Sequence, residues 1–463
     1  MSIKMELDVN AWAAEQFQAC DLGDARRTTR AVTMAAQFAA NPSGSTPEQT
    51  ESWSDCKATY RLFDCEDVTF AGLAMPHWQR TKARASGHYL LLGDTTIVSF
   101  DGERNISGMG IVSSGSAKGY LLHSSLMVTA DNSHQIVGLA GQTIHYRQRV
   151  AKSEKQRERL QRKRESEIWG EVIDQVGPPP ENVRWTHVFD RGGDNFEVYC
   201  HLLLNQSDWV VRAAQLTRRI VTPAGEQTEL GAYLQSCPVA GTYELEVKAN
   251  HDQPARTALV EVRYGQVGLP LPRNCGRFAR ECGITFITMH AVEVREVNPP
   301  PGVEPLRWVL LTSHAVTTFE EALEVITYYE QRPLIEEFHK ALKTGCRLED
   351  RLYETAKRWE AVTAMLSIVA VRLLQLKTVA KAEPNRPAEE LVPRHWIEML
   401  SAMRRGKHKR IHTAYEFMRA LAGLGGHLGR KHDGEPGWIT LWRGFNKLHL
   451  ILRGAAAVDK KCG

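Results

Sequence analysis

Residues 89–94 read Tyr-Leu-Leu-Leu-Gly-Asp, and residues 185–190 read Trp-Thr-His-Val-Phe-Asp. Each is a short apolar run that ends on an aspartate. That is the pattern of a buried strand handing its last side chain to solvent. Ligands of open α/β sheets gather at the carboxyl ends of such strands. An aspartate after a strand also forms turns, so neither one decides its role alone. Further strand-like runs stand at 121–129, 136–140 and 209–212, with helix-like segments between them. The mixture predicts an α/β core.

Working outward, residues 12–17, 31–39 and 56–63 read as helices. Asn41-Pro42-Ser43-Gly44-Ser45 is a loop by its turn chemistry, and Thr46-Pro47 opens a further helix. Residues 152–173 form a highly charged helical stretch. From about 220 to 305 the texture changes. Runs at 242–248, 257–264 and 283–291 alternate like antiparallel strands broken by Pro, Gly and Asn. This predicts a β-rich insertion. Residues 308–311 resume a core strand, and from Phe319 the chain reads as helical. A chain of 463 residues exceeds one ordinary core. The expected organisation is a helical region over 1–73, an α/β catalytic region over 74–376 with its β insertion at about 220–305, and a helical region over 377–463.

Composition narrows the class. Hydrophobic content of 43% and charged content of 24% are those of a soluble globular protein. The longest apolar stretch, 361–376, is interrupted by Arg372 and reads as a buried helix rather than a membrane span. Residues 1–18 lack the layout of a signal peptide, so a cytoplasmic protein without a membrane partner is expected. Nine cysteines without any Cys-x-x-Cys argue against a disulfide framework and a structural zinc site. Net charge is only +4, but the basic residues cluster at Arg26, Arg27 and Arg30, along 152–164, and at 404–410. Separated basic patches suit a protein that touches DNA from more than one region.

The most specific pattern is Tyr329, Arg332, Glu336 and Lys343, spaced Y-x2-R-x3-E-x6-K. On one helix these four share a face, with Ile335, Phe338 and Leu342 on the buried side and Pro333 in the first turn. A solvated face of ordinary ion pairs has the same look. Phosphodiester cleavage by two divalent ions needs several carboxylates at one point. Asp94, Asp190 and Glu336 supply such a set, and Mg²⁺ favours oxygen ligands. Arg332 and Lys343 would hold DNA phosphate and Tyr329 would add a hydrogen bond.

With these motifs together, the chain resembles the DDE transposases of the bacterial insertion-sequence-four family. The resemblance runs through most of the chain. It is carried by 22–30 (LGDARRTTR), Tyr60-Arg61, Asp94-Thr95-Thr96, Asp190-Arg191-Gly192-Gly193-Asp194, Val210-Val211-Arg212, 308–313 (WVLLTS), 329–343, 369–376 (VAVRLLQL) and Leu424-Gly425-Gly426. It implies Asp94, Asp190 and Glu336 as the metal-binding triad of a ribonuclease-H-like core, with Mg²⁺ or Mn²⁺ as cofactor. It implies an antiparallel β insertion between the second Asp and the Glu, and helical domains at both ends. It implies Tyr329, Arg332 and Lys343 at the phosphates of the transposon end, and Trp308 as a stacking platform for a flipped base. A core tryptophan is the other reading of Trp308. Arg212 is either a DNA contact or a strand-end ion pair. Arg26, Arg27, Arg30 and Arg61 hold DNA or form a helix-surface charge cluster.

The implied partners are double-stranded transposon ends and target DNA, with a homodimer in the DNA complex. The 414–421 and 439–452 helices present apolar faces for that dimer or for their own core. One family member carries a Lys-Tyr pair where Ala40-Asn41 stand, which implies a different end sequence here. Gly192-Gly193 replace bulkier residues, which suggests a looser turn beside Asp190. Two competitors share part of the pattern. Another ribonuclease-H-fold nuclease would carry the acids without the Tyr-Arg-Glu-Lys string, and a non-catalytic end-binding protein would hold DNA without cutting it.

Overall fold

The computed structural model describes residues 8–83, 86–100, 104, 106–112, 117–147, 164–247, 255–404, 410–430 and 433–462. The chain opens with α1 (Val9–Phe17), α2 (Ala25–Ala40), α3 (Thr46–Gln49), α4 (Trp53–Asp64) and α5 (Phe70–Lys82). Asp8, Asp24, Ser52 and Thr69 start four of these helices by accepting a backbone N–H at the first turn. A mixed region follows: β1 (Gly87–Phe100), β2 (Gly110–Ile111), β3 (Lys118–Thr129), β4 (Ile136–His145), α6 (Glu167–Val176), β5 (Val183–Phe189), α7 (Phe196–Leu204) and β6 (Asp208–Arg212). Next come β7 (Arg219–Val221), β8 (Gln227–Glu229), α8 (Leu230–Ser236), β9 (Gly241–Val247), β10 (Arg256–Pro270), α9 (Arg277–Glu281), β11 (Phe286–Glu296) and β12 (Arg307–Thr312). The chain then runs through α10 (Phe319–Glu330), α11 (Pro333–Lys340), a π turn at Ala341–Gly345, α12 (Ala356–Ala382), α13 (Arg394–Met403), α14 (Ala414–Leu424) and α15 (Trp438–Cys462).

The strands form one large mixed sheet. Its path is β2-β3-β1-β5-β6-β12-β11-β10-β7-β8, with β4 also pairing β3 and β9 also pairing β10. β1, β3 and β4 are antiparallel neighbours, while β5 and β6 run parallel to β1. The strands β7 to β11 are antiparallel additions beyond β12.

Leu90, Leu91 and Leu92 are all fully buried. Leu90 and Leu92 join a core that includes α12, whereas Leu91 packs with Met127, Val172 and Trp185 on the other side. An unbroken apolar run is what a strand covered on both faces requires. Helix α12 is buried almost all round, and its Arg372 lies 5.2 Å from the centroid of the Trp12 ring. Among the described residues it alone is long and apolar enough to cross a membrane, and most of it is buried in this fold. The same core takes in Phe17 and Phe38 from the N-terminal helices and Phe417, Trp438 and Leu448 from the C-terminal ones.

The structure departs from the sequence expectations in several places. β1 does not end at Asp94 but runs on to Phe100, because β3 continues to pair with it. The expected boundaries at 73/74 and 376/377 fall inside α5 and α12, so neither is a linker. The Tyr329–Lys343 string is not one helix. It breaks at Gln331–Arg332, restarts with Pro333 at the first position of α11, and turns into the π segment that carries Lys343. Pro333 has no N–H to continue α10, which explains the break. Of the charged stretch 152–173, residues 152–163 lie outside the described residues, and α6 starts at Glu167. No described cysteine is in a disulfide.

One buried histidine ties three elements together. The Leu139 backbone N–H donates to His77 Nε2 at 3.0 Å, so the ring proton sits on Nδ1 and donates to Gln16 Oε1 at 2.6 Å. Burial pushes the His77 pKa down to about 3. Unfolded histidine takes up a proton near 6.5, whereas this ring resists it until about 3. Stability is therefore full above about 6.5 and is lost as pH falls toward 3, by up to ~1.4 kcal/mol per pH unit. Urea unfolding between pH 6.5 and 4 should accordingly show a shallower acid slope in His77→Gln. An unchanged slope would mean that His77 titrates normally in the folded protein.

Candidate active site: three carboxylates around Arg332

Parallel pairing brings the two aspartates together. The β1–β5 register runs from Gly87↔Val183 to Gly93↔Phe189, so Asp94 and Asp190 are the next residues on adjacent strands. β5 stops there, which leaves one edge of β1 without a strand partner from Asp94 onward. Asp190 leaves the sheet and caps a short 3-10 turn, its Oδ1 accepting the Gly192 N–H at 2.8 Å. A Cβ on Gly193 would lie 2.6 Å from Phe189, and one on Gly192 would lie 2.9 Å from Trp169. The glycines permit a close approach, so the turn is pinned rather than loosened.

Asp194 completes that motif. Its fully buried carboxylate accepts the Tyr199 hydroxyl at 2.8 Å, the Ala214 N–H at 2.6 Å and the Arg218 guanidinium. It thereby fixes the turn after Asp190 to the start of the inserted strands. Asp194 stands within the Asp190 motif in the sequence, where nothing beside it marks a role. Its spacing behind Asp190 was visible, but its partner Arg218 was not.

Glu336 arrives from the first turn of α11. The guanidinium of Arg332 stands between all three acids. Its Nη2 lies 3.3 Å from Asp94 Oδ2 and 3.4 Å from Asp190 Oδ2, and its Nη1 lies 2.5 Å from Glu336 Oε1. Burial raises the Asp94 carboxyl to about 6, with Asp190 and Glu336 adding repulsion and Arg332 pulling the other way. Burial also works against the Arg332 charge, yet the three acids hold its pKa above the ordinary value. Arg332, expected at a DNA phosphate, is here the counterion of the acidic cluster. Behind Asp94, at 3.9 Å from its Oδ2, sits Nδ1 of His339, whose pKa burial lowers to about 3. His339 Nε2 is buried without a hydrogen-bond partner. His123, likewise held near 3 by burial, bonds the Thr95 hydroxyl at 2.8 Å.

The remaining candidates fall into two groups. Lys343 Nζ donates to the Ile97 carbonyl at 2.9 Å, on the bare edge of β1, and pairs with Glu349 at 3.1 Å. A cleft of about 820 Å³ opens beside it, lined by Lys340, Lys343, Arg347 and Arg443 together with Thr96 and His339. On the other side, Tyr329, Arg212 and Trp308 come together. The Trp308 and Tyr329 rings lie 6.3 Å apart, and burial raises the Tyr329 pKa while the nearby Arg212 charge works against that rise. Trp308 packs against the main core and is partly buried, so part of its ring stays accessible.

The N-terminal arginines differ among themselves. Arg27 bonds the Leu22 carbonyl at 2.9 Å and pairs with Asp67, and Arg30 pairs with Asp55 at 2.8 Å. Both hold helices of this region together. Arg26 is exposed beside Asp24, and Arg61 is exposed on α4. In the basic patches, Arg164 is engaged by Glu167 and Glu197, and 405–409 lie outside the described residues.

The donor set of Asp94, Asp190 and Glu336 is all carboxylate oxygen, which suits a hard divalent cation. As they stand, no three His, Cys, Asp or Glu side chains among the described residues are close enough to ligate one ion. The acids instead surround a guanidinium, and a cation would take over its charge.

Residues 9–68 match a family described as transposase DNA-binding, and residues 368–461 match the Tn5 transposase dimerisation domain. The chain also aligns with a solved structure described as a piggyBac transposase synaptic complex with hairpin DNA. That alignment has 9% identity and a TM-score of 0.35, covering 92% of this chain and 78% of the other. Matched to a transposase DNA-binding family at one end and to the Tn5 transposase dimerisation domain at the other, the chain is similar to Tn5-like transposases at both of its ends.

Proposed function

We propose that this protein cuts a mobile element from double-stranded DNA through a hairpin intermediate and joins its 3′-hydroxyl ends to target DNA. The observation that carries the reading is the convergence of Asp94, Asp190 and Glu336, from three separate elements, on the single guanidinium of Arg332. Five strands in the order β4-β3-β1-β5-β6, three antiparallel and two parallel, support a ribonuclease-H-like core beneath it. In this reading the N-terminal helices bind the transposon end. The sheet with its insertion does the chemistry, and the C-terminal helices pair two protomers in the cytoplasm of a bacterium.

Asp94, Asp190 and Glu336 would hold the divalent ions, Mg²⁺ or Mn²⁺. When bound, such a pair activates water or a 3′-hydroxyl and neutralises charge at phosphorus. Arg332 neutralises the carboxylates in the ion-free protein, and it turns to a DNA phosphate once they no longer need it. Lys343 and the basic cleft track the backbone at the bare edge of β1. Trp308, partly exposed beside the Tyr329 ring, would offer its face to an extruded base. His339 backs Asp94 as a neutral ring, adding no charge to the site.

Three measurements test this reading. A linear duplex bearing the element's own end, incubated with protein and Mg²⁺, should give a hairpin-sized product on a denaturing gel. The product should need metal and vanish in Asp190→Ala; binding without any cutting by the wild type would leave a DNA-binding relative only. Trp308→Ala should slow hairpin formation by roughly 5- to 100-fold, since base stacking is worth about 1–3 kcal/mol. The first nick should be spared, and equal slowing of both steps would refute the stacking role. Without DNA, Arg332→Met should bind Mn²⁺ at least about tenfold more tightly by electron paramagnetic resonance, because a competing cation is removed. Unchanged or weaker Mn²⁺ binding would show that Arg332 does not occupy the place of the ions.

A further inference from the structure

Glu337 follows Glu336 in sequence and engages different elements. Its Oε2 accepts Lys377 Nζ at 2.8 Å and the Trp438 indole N–H at 2.5 Å, and its Oε1 accepts Lys340 Nζ at 3.1 Å. One carboxylate thus joins α11, α12 and α15. The Lys377 ammonium also lies 4.2 Å from the centroid of the Trp438 ring, which closes the triangle.

One turn further along α15 the same contact surface grips a second point. Trp438 stacks on Trp442, with centroids 5.5 Å apart and planes 11° from parallel. The Trp442 indole packs against Gly345, where a Cβ would come within 2.2 Å of it. Gly345 ends the π turn that carries Lys343. Such turns are marginal in themselves and recur at functional sites. Helix α15 therefore touches the segment that bears Glu336 and Lys343 at two points, Glu337 and Gly345. Lys377, Trp438 and Trp442 all fall within the stretch matched to a dimerisation domain, 368–461.

We propose that Glu337 is a positioning residue that couples the C-terminal pairing region to the catalytic helix, so that the state of α15 sets the placement of Glu336. The proposal rests on the transposase reading above. A half-exposed ion pair contributes little to stability. Its placement matters more, because small displacements of a catalytic group are costly to rate.

The test uses the full-length protein and a duplex carrying the element's end. Glu337→Gln removes the charge, and Trp438→Phe keeps a ring but removes the N–H. Melting temperature, end binding and paired-complex formation are measured without metal, then single-turnover cleavage after Mg²⁺ is added to preassembled complexes. Both variants should assemble like the wild type and cut about ten- to a hundredfold more slowly, in the rate constant and not in the DNA concentration needed. The double variant should be no slower than the slower single one, because both changes break one link. Wild-type cleavage rates in both variants would overturn the proposal. So would losses that merely track melting temperature or assembly, which would make Glu337 a structural tie. A wild-type protein that binds and never cuts would overturn both this link and the reading on which it rests.

Discussion

Three carboxylates cannot share a small, partly buried space without a positive charge among them. At about 4 Å, two like charges near a protein surface repel by ~4 kcal/mol. The Arg332 guanidinium answers that repulsion by reaching Asp94, Asp190 and Glu336 at once. Its planar fork of donors suits the task in a way that a lysine would not. The arrangement depends on β1 and β5 pairing in parallel up to Gly93 and Phe189, and on Pro333 ending α10 just after Arg332. Move either and the guanidinium loses one of its partners.

Much of this was legible in the sequence because strands buried on both faces leave an unmistakable trace. The run Leu90-Leu91-Leu92 before Asp94 and the run before Asp190 located the sheet and its two acids. The alternation between 220 and 305 likewise marked strands that the structure places in the sheet extension. The middle of helix α12 was readable as buried because the 361–376 run is apolar on every side, with Arg372 its one charged residue.

Other features depend on partners far away in the chain. Helical spacing put Tyr329, Arg332, Glu336 and Lys343 on one face, yet the chain breaks twice in that span, and spacing alone carries no record of a π turn. Charge pattern alone does not show the carboxylates that Arg332 and Arg30 engage when no DNA is bound. Their carboxylates at 94, 190 and 55 are visible only in three dimensions. The boundaries read at 73 and 376 lie inside α5 and α12 for a related reason. The terminal helices have no cores of their own; Phe17, Phe38 and Trp438 share one core with the sheet and α12.

The sheet extension has a consequence for the molecule's manners toward its neighbours. Without β12, strand β6 would end the sheet with a row of free amides and carbonyls, the kind of margin that recruits stray strands. The returning β12 covers that margin at Val210, Val211 and Arg212, and β11 and β10 carry the pairing outward. Glu293 and Glu296, paired with Arg307 and Arg256, place salt-bridged polar ladders in that outer weave. What looks like added cargo is therefore also the cover over an edge that β6 would otherwise leave open.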